Sequence, residues 1–273
     1  MADKEVYELR LKKSLFIYSR LFNQHLKAIL EYQADFLITL LAAMLTQVLG
    51  FIFLWVVYQQ IPEINGWGFW EVAFIYAMIF FTEGFASLFF DGIWSISRFV
   101  NRGEMDRLLV RPVSPILQVL GSAVGMNGVG NIFIGAVIIS QALRNITINW
   151  SVGMVMMALV LLISAIVIRV SIYLAACSSV FWTHSPGNAF GNMVHTVSDF
   201  AKYPITIYSL GVQALVAVIV PYAFISFFPA ALLFGKTDWS IFGYLTPLVA
   251  IYCAGMAAII FNHGLRRYES AGN

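Results

Sequence analysis

Charged residues are scarce in this 273-residue chain, at 11% of the sequence, whereas a soluble domain carries about 25%. Hydrophobic residues make up 60%, and the mean hydropathy is +0.81. This composition excludes an ordinary soluble protein. The net charge of +2 is too small to predict a nucleic-acid partner. The two cysteines, Cys177 and Cys253, both lie in apolar runs, which favours buried thiols over a disulfide.

Residue patterns that carry catalysis are also missing. The histidines are dispersed and show no metal-ligand spacing, and no serine stands in the context of a nucleophile. Gly235-Lys236-Thr237 matches the end of a phosphate-binding loop, but Ala230 stands where the first glycine of that loop belongs. The sequence therefore predicts a protein that is not an enzyme and that binds no cofactor or metal itself.

Long apolar runs are what the chain does have. A bilayer core of about 30 Å needs about 20 apolar residues of helix, and six segments meet that length. They are Phe36–Tyr58, Val72–Phe90, Ile116–Leu143, Val152–Ser178, Ile205–Phe227 and Ile241–Asn262, and Pro221 interrupts the fifth. We therefore predict an all-α integral membrane protein with six transmembrane helices over residues 36–273.

The distribution of lysine and arginine predicts the orientation. Thirteen of these residues fall on the side that holds both chain ends, and two, Arg144 and Lys236, fall on the other. Cytoplasmic loops carry the excess of positive charge. Both termini, the loop Asp91–Pro115 and the connection that contains Lys202 are therefore expected in the cytoplasm.

The segment before the first span, residues 1–35, has its own pattern. Apolar residues from Leu11 to Ile29 follow helical spacing on one face, and Lys13, Arg20 and Lys27 recur every seventh residue on the opposite face. Such a helix lies flat at the membrane interface, with its cations near anionic lipid headgroups. It serves either as an anchor for the first span or, in addition, as a surface for a partner subunit.

Two charges lie inside the predicted spans. Glu83 is near the middle of the second span and Arg169 is deep in the fourth. A charge at the centre of a membrane helix costs at least about 2.5–3.5 kcal/mol, so each needs a partner, water or a function. One interpretation is that Glu83 and Arg169 line a water-filled substrate path or form a pair across the helix bundle. The other is structural, with Arg169 reaching toward the interface and Glu83 protonated or hydrogen-bonded between helices.

The loop Asp91–Pro115 is the one long polar segment between apolar runs. It contains four arginines and no lysine, with Glu104 and Asp106 among them. Pro112 and Pro115 end any helix in the loop and turn the chain back toward the membrane. A short amphipathic helix between two membrane spans is well placed to contact a soluble partner.

The string R-G-E-M-D-R-L-L-V-R-P-V-S (Arg102–Ser114), set between the second and third of six spans, resembles the ABC-2 type permeases. These are the membrane subunits of ATP-binding-cassette exporters. The stretch Phe200–Phe234 resembles the same family, and in particular a branch often encoded as two non-identical permeases with one ATPase.

The resemblance implies a cytoplasmic coupling helix that docks on an ABC ATPase dimer, and its residues are Gly103, Glu104, Met105, Asp106, Arg107, Leu108 and Leu109. It further implies that the partner ATPase uses ATP and Mg. A second permease subunit, the same chain or a related one, would complete the pathway among membrane lipids. The complex is expected in a bacterial cytoplasmic (inner) membrane. The expected activity is export of a lipid-like, glycan or drug-like substrate. An ion-coupled secondary transporter or channel that uses Glu83 is the alternative.

Overall fold

The computed structural model describes residues 18–20, 22–25, 27, 33–236 and 238–269. The all-α class is confirmed, because the two strands of the described residues are two residues long and form one antiparallel hairpin, β1 (Glu63–Ile64) with β2 (Trp67–Gly68). The α-helices are α1 (Gln33–Gln60), α2 (Phe69–Phe90), α3 (Ile96–Asn101), α4 (Met105–Leu109), α5 (Pro115–Leu120), α6 (Asn127–Asn145), α7 (Val152–Cys177), α8 (Val180–Thr183), α9 (Ala189–Val197), α10 (Leu210–Ala214), α11 (Phe227–Leu233), α12 (Ser240–Tyr244) and α13 (Thr246–Leu265).

The amphipathic helix predicted over residues 1–35 lies mostly outside the described residues. Two of its described side chains contact the end of α2. The Tyr18 hydroxyl donates a hydrogen bond to the carbonyl oxygen of Phe89, and the Phe22 ring stacks on the Phe89 ring at 5.4 Å between centroids. These contacts tie the segment before the first span to the far end of the second.

Within the described residues, four helical runs are long and apolar enough to cross a membrane. They are Gln33–Gln60, Phe69–Asn101, Val152–Thr183 and Thr246–Leu265. They correspond to the first, second, fourth and sixth predicted spans. The second is longer than expected because the chain stays helical after Phe90 through a short 3-10 stretch into α3.

The third predicted span, Ile116–Leu143, is wrong as one continuous helix. The chain leaves the helical conformation between Leu120 and Asn127, so α5 and α6 are separate. Amides in α6, such as Asn127 and Asn131, lower its hydropathy, and it is not among the four long apolar helices. The backbone amide of Gly125 in the break donates a hydrogen bond to the carbonyl oxygen of Ser87, at 3.0 Å.

The fifth predicted span, Ile205–Phe227, is not one continuous helix. Two helical runs, Leu210–Ile219 and Tyr222–Leu233, meet at a 71° bend at the predicted Pro221 break. The beginning and the end of this pair lie at the same hairpin. Asn65 Nδ2 donates a hydrogen bond to the carbonyl oxygen of Thr206, and Lys236 Nζ donates one to that of Gly66. The pair therefore enters and leaves the bundle at the hairpin end.

A polar segment, residues 186–207, runs the length of α2 instead. Ser185, just before it, accepts a hydrogen bond on its carbonyl oxygen from Ser97 Oγ at 3.0 Å. Thr206, near its end, contacts the hairpin at Asn65. The segment therefore extends between the two ends of the bundle over about the 20 residues that a helical crossing needs, although it is broken into α9 and short 3-10 turns.

Helices α2 and α6 cross in direct backbone contact at glycines. A Cβ atom on Gly84 would lie 2.7 Å from the carbonyl oxygen of Gly128, and one on Gly128 would lie 2.5 Å from that of Gly84. Small residues permit such close approach between membrane helices. Gly121 and Gly125, the pair with GxxxG spacing in the sequence, fall at the break instead.

We expect Gly128→Ala to destabilise the protein by about 1–3 kcal/mol, because the added methyl group must push α2 and α6 apart. Gly255→Ala in α13 is the matched control, since a Cβ atom there meets nothing within 4 Å, and it should stabilise its helix slightly. Thermal unfolding of both variants in the same detergent measures the difference. Equal melting temperatures would contradict the glycine contact.

Candidate functional site

A cavity of about 630 Å³ lies between α1, α2, α6 and the polar segment. One part of its wall is apolar and comes from Ile38 and Ala42 of α1 and from Ile79 and Phe80 of α2. Neutral polar residues form much of the rest, and they are Thr39, Thr46, Gln47, Asn127, Asn131 and Ser198. Among apolar helices, a polar cavity of this size is a candidate path for a substrate.

The predicted charges Glu83 and Arg169 meet at the edge of this cavity. Arg169 Nη1 lies 2.5 Å from Glu83 Oε2, so the two form an ion pair between α2 and α7. Glu83 is among the residues that line the cavity, with 17% of its side chain exposed, whereas the Arg169 side chain is fully buried. Arg169 therefore lies behind the wall of the cavity, and of the two predicted residues Glu83 alone lines it.

Each of the three guanidinium nitrogens of Arg169 donates at least one hydrogen bond. Its Nε donates to Thr82 Oγ1 at 3.0 Å, its Nη2 donates to the carbonyl oxygen of Ile79 at 3.1 Å, and its Nη1 donates to the Tyr173 hydroxyl at 2.9 Å. The guanidinium also lies 5.5 Å from the centre of the Tyr222 ring, at the bend of the helix pair. Arginine presents five donors in a fixed plane, which suits this buried setting.

The same cluster includes Tyr173 and His195. The Tyr173 hydroxyl donates to Glu83 Oε2 at 2.6 Å, and His195 Nε2 of α9 lies 3.5 Å from Glu83 Oε1. His195 went unnoticed in the sequence because it belongs to a segment read as a cytoplasmic connection. No local sequence pattern marks His195, because only the fold brings α9 beside Glu83.

Lys202, which the sequence places in the connection between the fourth and fifth predicted spans, lines the cavity with Asp199. Lys202 Nζ lies 2.7 Å from Asp199 Oδ1 and 5.1 Å from the centre of the Phe80 ring. The charge of Lys202 is therefore paired at the cavity wall.

A buried amide pair joins α1 to α6 at the cavity. Gln47 Nε2 donates a hydrogen bond to Asn131 Oδ1 at 3.0 Å, and both side chains are at least nine-tenths buried. The Tyr76 hydroxyl donates to the carbonyl oxygen of Gln47 at 3.1 Å. The sequence carried a signal for this pair, because Gln47 is an amide inside an uncharged apolar run.

The predicted coupling residues form a separate site at the opposite end of the bundle from the hairpin. Gly103 has φ +70°, a left-handed conformation that glycine adopts easily, and it turns the chain into the five-residue helix α4. Gln118 Nε2 of α5 donates hydrogen bonds to the carbonyl oxygens of Leu108 and Val113, at 2.8 and 2.9 Å. These bonds fix the end of α4 against α5.

Two of the expected contact residues of α4 point into the protein. Met105 and Leu108 are 0% and 8% exposed, whereas Leu109 and Val110 are 43% and 83% exposed. The apolar surface open to a partner therefore consists of Leu109 and Val110 rather than Met105 and Leu108. Five residues make little more than one turn, so helical spacing in the sequence does not decide which side is buried.

The remaining charged coupling residues lie around this surface. Arg107 is exposed, and Glu104 is paired with Arg98 at 3.6 Å between Nε and Oε2. Burial, with the nearby Asp106 carboxylate as a second cause, raises the pKa of the Tyr268 phenol above its ordinary value. The carboxyl-terminal end of the described chain therefore lies beside α4.

The fold and these two sites define a multi-pass membrane protein of the transport class. A family model described as ABC-2 family transporter protein matches residues 44–272, and the chain belongs to this family. The predicted resemblance to an ABC-2 type permease is thereby confirmed. No curated protein and no solved structure matches the chain.

We expect Arg169→Met to cost about 3–5 kcal/mol of stability, because it leaves the Glu83 carboxylate without its buried partner. The double variant Glu83→Gln/Arg169→Met should lose less than the sum of the two single variants, since no unpaired charge remains. Denaturant unfolding of the parent, Glu83→Gln, Arg169→Met and the double variant in detergent micelles gives the double-mutant cycle.

Lys236→Met is the matched control for the loss of a cation. It breaks the 2.8 Å contact between Lys236 Nζ and Glu71 Oε2, a partly exposed pair, and should cost about 1 kcal/mol or less. Single-variant losses that add within about 0.5 kcal/mol in the cycle would contradict a coupled Glu83–Arg169 pair.

Proposed function

We propose that this chain is the membrane-spanning permease subunit of an ATP-driven ABC exporter. The observation that carries the proposal is the polar cavity, bounded by Glu83, inside a bundle of long apolar helices in a member of the ABC-2 family. Glu83 faces the substrate path, and Arg169 positions Glu83 from behind. Family membership favours this function over the alternative of an ion-coupled transporter or channel.

The substrate is amphipathic in this proposal. The cavity joins an apolar wall from α1 and α2 to neutral amides and hydroxyls, with its charges arranged as pairs. Such a wall suits a lipid-like, glycan or drug-like compound that has both polar and apolar parts. Transport by alternating access moves this compound out of the cytoplasm.

A second permease subunit, the same chain or a related one, completes the wall of the substrate path. Along the polar segment, Phe190, Met193 and Asp199 are all exposed, although the segment runs between the two ends of an apolar bundle. An exposed carboxylate is costly in lipid. In this proposal the polar segment, with its mixed apolar and charged surface, faces a neighbouring subunit. The water-filled path lies between the two subunits.

A cytoplasmic ABC ATPase dimer, which binds and hydrolyses ATP with Mg, contacts the loop that contains α4. Leu109 and Val110 supply an exposed apolar contact, and Arg107 supplies a charge beside it. Interface anchors are typically apolar or arginine side chains surrounded by polar residues. The permease itself contributes no ATPase site in this arrangement.

The complex lies in a bacterial inner membrane with both chain ends and the loop Asp91–Pro115 in the cytoplasm. The excess of lysine and arginine at that end supports this orientation and persists without Lys202. The hairpin end then faces outward. The polar segment is the fifth of six crossings, and the bent pair Leu210–Leu233 enters from the outside and returns there.

The proposed topology predicts that Ser209→Cys reacts with a membrane-impermeant maleimide added to intact cells. Ser209 is exposed and follows Thr206, which contacts the hairpin. A fifth crossing at Ile205–Phe227 would instead begin on the cytoplasmic side. Val110→Cys is the matched control and should react only after the membrane is permeabilised, while the buried native thiols set the background. Labelling of Val110→Cys in intact cells would reverse the orientation.

The proposed ATPase contact predicts that Leu109→Asp separates the ATPase from a folded permease. Loss of an apolar anchor costs about 2 kcal/mol or more, which lowers the affinity about 30-fold. Arg107→Glu should weaken binding by charge reversal. Affinity for the copurified ATPase and substrate-stimulated ATP turnover are the measurements.

The control for the ATPase experiment is Arg144→Glu, which reverses the charge of a cation at the hairpin end. It should change neither the affinity for the ATPase nor the substrate-stimulated ATP turnover. Leu108→Asp is a poor test, because Leu108 is buried and the charge would destabilise the permease itself. Unchanged ATPase affinity in Leu109→Asp and Arg107→Glu would exclude the loop as the contact.

A further inference from the structure

The amide pair of Gln47 and Asn131 has one oxygen and one nitrogen that make no hydrogen bond. Gln47 Nε2 donates to Asn131 Oδ1 at 3.0 Å, which leaves Gln47 Oε1 and Asn131 Nδ2 without a partner among the described residues. The two side chains are 9% and 4% exposed, and both line the polar cavity. Neither atom is fully enclosed by protein, so both face the cavity. The wall therefore offers an acceptor and a donor close together.

This property of the wall does not depend on which atom of each amide is the nitrogen. Exchange of oxygen and nitrogen in both amides reverses the bond between α1 and α6, and one oxygen and one nitrogen again remain without a partner. Buried polar groups without a partner are unfavourable. A ligand that supplies a donor and an acceptor therefore gains more from this wall than an apolar ligand does.

The amide pair is held in place from two sides. The Tyr76 hydroxyl donates a hydrogen bond to the carbonyl oxygen of Gln47 at 3.1 Å and joins α1 to α2 there. Beside Asn131, a Cβ atom on Gly130 would lie 3.1 Å from the carbonyl oxygen of Leu40, so α1 and α6 are in close contact. Polar groups that are already fixed lose little freedom when a ligand binds.

Further neutral groups extend the polar wall around the amide pair. Asn127 stands one helical turn before Asn131 on α6 and also lines the cavity. Its Oδ1 accepts a hydrogen bond from Ser87 Oγ at 2.8 Å, and its Nδ2 has no partner among the described residues. Thr46 Oγ1 of α1 donates within its own helix, so it is left as an acceptor. The wall can therefore bind several hydroxyl groups.

The charged residues of the cavity disfavour a charged ligand. Glu83 is paired with Arg169, and Asp199 with Lys202, while His195 lies against Glu83. A cationic or anionic headgroup would therefore have to break one of these pairs to find a counter-charge among the described residues of the wall. Burial of a charge without a partner is costly, whereas a neutral polar group needs only hydrogen bonds.

We propose that Gln47 and Asn131 form a recognition site for a neutral, hydroxyl-bearing group of the transported compound, such as a sugar or glycerol headgroup. One hydroxyl can donate to Gln47 Oε1 and accept from Asn131 Nδ2, because its donor and its acceptor belong to the same oxygen. The apolar wall from α1 and α2 receives the alkyl part of the compound. The site deepens the proposed transport function and rests on it, but binding is measured without transport or an ATPase.

The test uses an alkyl glucoside that carries a photoreactive diazirine in its chain, with the full protein in lipid nanodiscs. Mass spectrometry quantifies the labelling of α1 and α2. Octyl glucoside and octyltrimethylammonium, at equal concentrations in the bilayer, compete for this labelling, and they share the same chain. We expect octyl glucoside to compete at an about tenfold lower concentration in the parent protein, because only its headgroup supplies hydroxyls.

Gln47→Met and Asn131→Leu remove one amide each at similar volume, and either should reduce the glucoside preference to about twofold or less. The exchange Gln47→Asn/Asn131→Gln keeps both amides and should restore most of the preference. Tyr76→Phe is the matched control, because it removes a buried hydrogen bond to Gln47 and leaves the amides of the cavity wall unchanged. It should keep the preference of the parent even where its melting temperature falls.

Equal competition by the two amphiphiles in the parent protein, or a preference that survives in both single variants, overturns the proposal. The comparison in the parent requires no substitution, so a folding defect in one variant leaves the test intact. Loss of the ATPase contact at Leu109 with an intact glucoside preference would remove the exporter function and keep the site. Normal ATPase binding and turnover without the preference would remove the site alone.

Discussion

The buried contact between Arg169 and Glu83 is the interaction on which the centre of this protein depends. A guanidinium without water is tolerable only when its charge and its donors are satisfied, and here α2 provides the carboxylate, a hydroxyl and a carbonyl oxygen. Tyr173 and Tyr222 add their aromatic rings. The pair thus fixes the relative position of α2, α7 and the bend of the helix pair at one point.

Around this point, polar groups are arranged so that apolar helices can enclose a cavity with polar walls. Gln47 and Asn131 share a hydrogen bond across α1 and α6, and Lys202 is neutralised by Asp199. Each pairing lowers the cost of polar groups among apolar helices. The cavity is therefore a property of several paired residues, and Glu83 is the member that belongs to both the cavity wall and the buried ion pair.

Sequence reasoning found what composition and local charge can reveal. Glu83 and Arg169 stood out because they interrupt apolar runs, and Pro221 correctly marked a break. The sequence analysis placed the fifth span at residues 205–227 because they are more apolar than residues 186–207. Hydropathy records composition rather than the course of the chain, so it does not reveal that residues 186–207 run along α2. Contact with the hairpin at Thr206 and Lys236 joins residues far apart in sequence, so no local pattern predicts it.

The break between α5 and α6 has a mechanical consequence. Gln118 of α5 donates a hydrogen bond to the carbonyl oxygen of Leu108 in the last turn of α4, and this bond joins the two helices. On the amino-terminal side of α4 the chain is helical from Phe69 to Asn101, whereas on the other side residues 121–126 interrupt it. A displacement of α4 would reach Glu83 through the single turn at Gly103 and the helix that runs back to Phe69, whereas the path from α5 to α6 crosses the six non-helical residues 121–126.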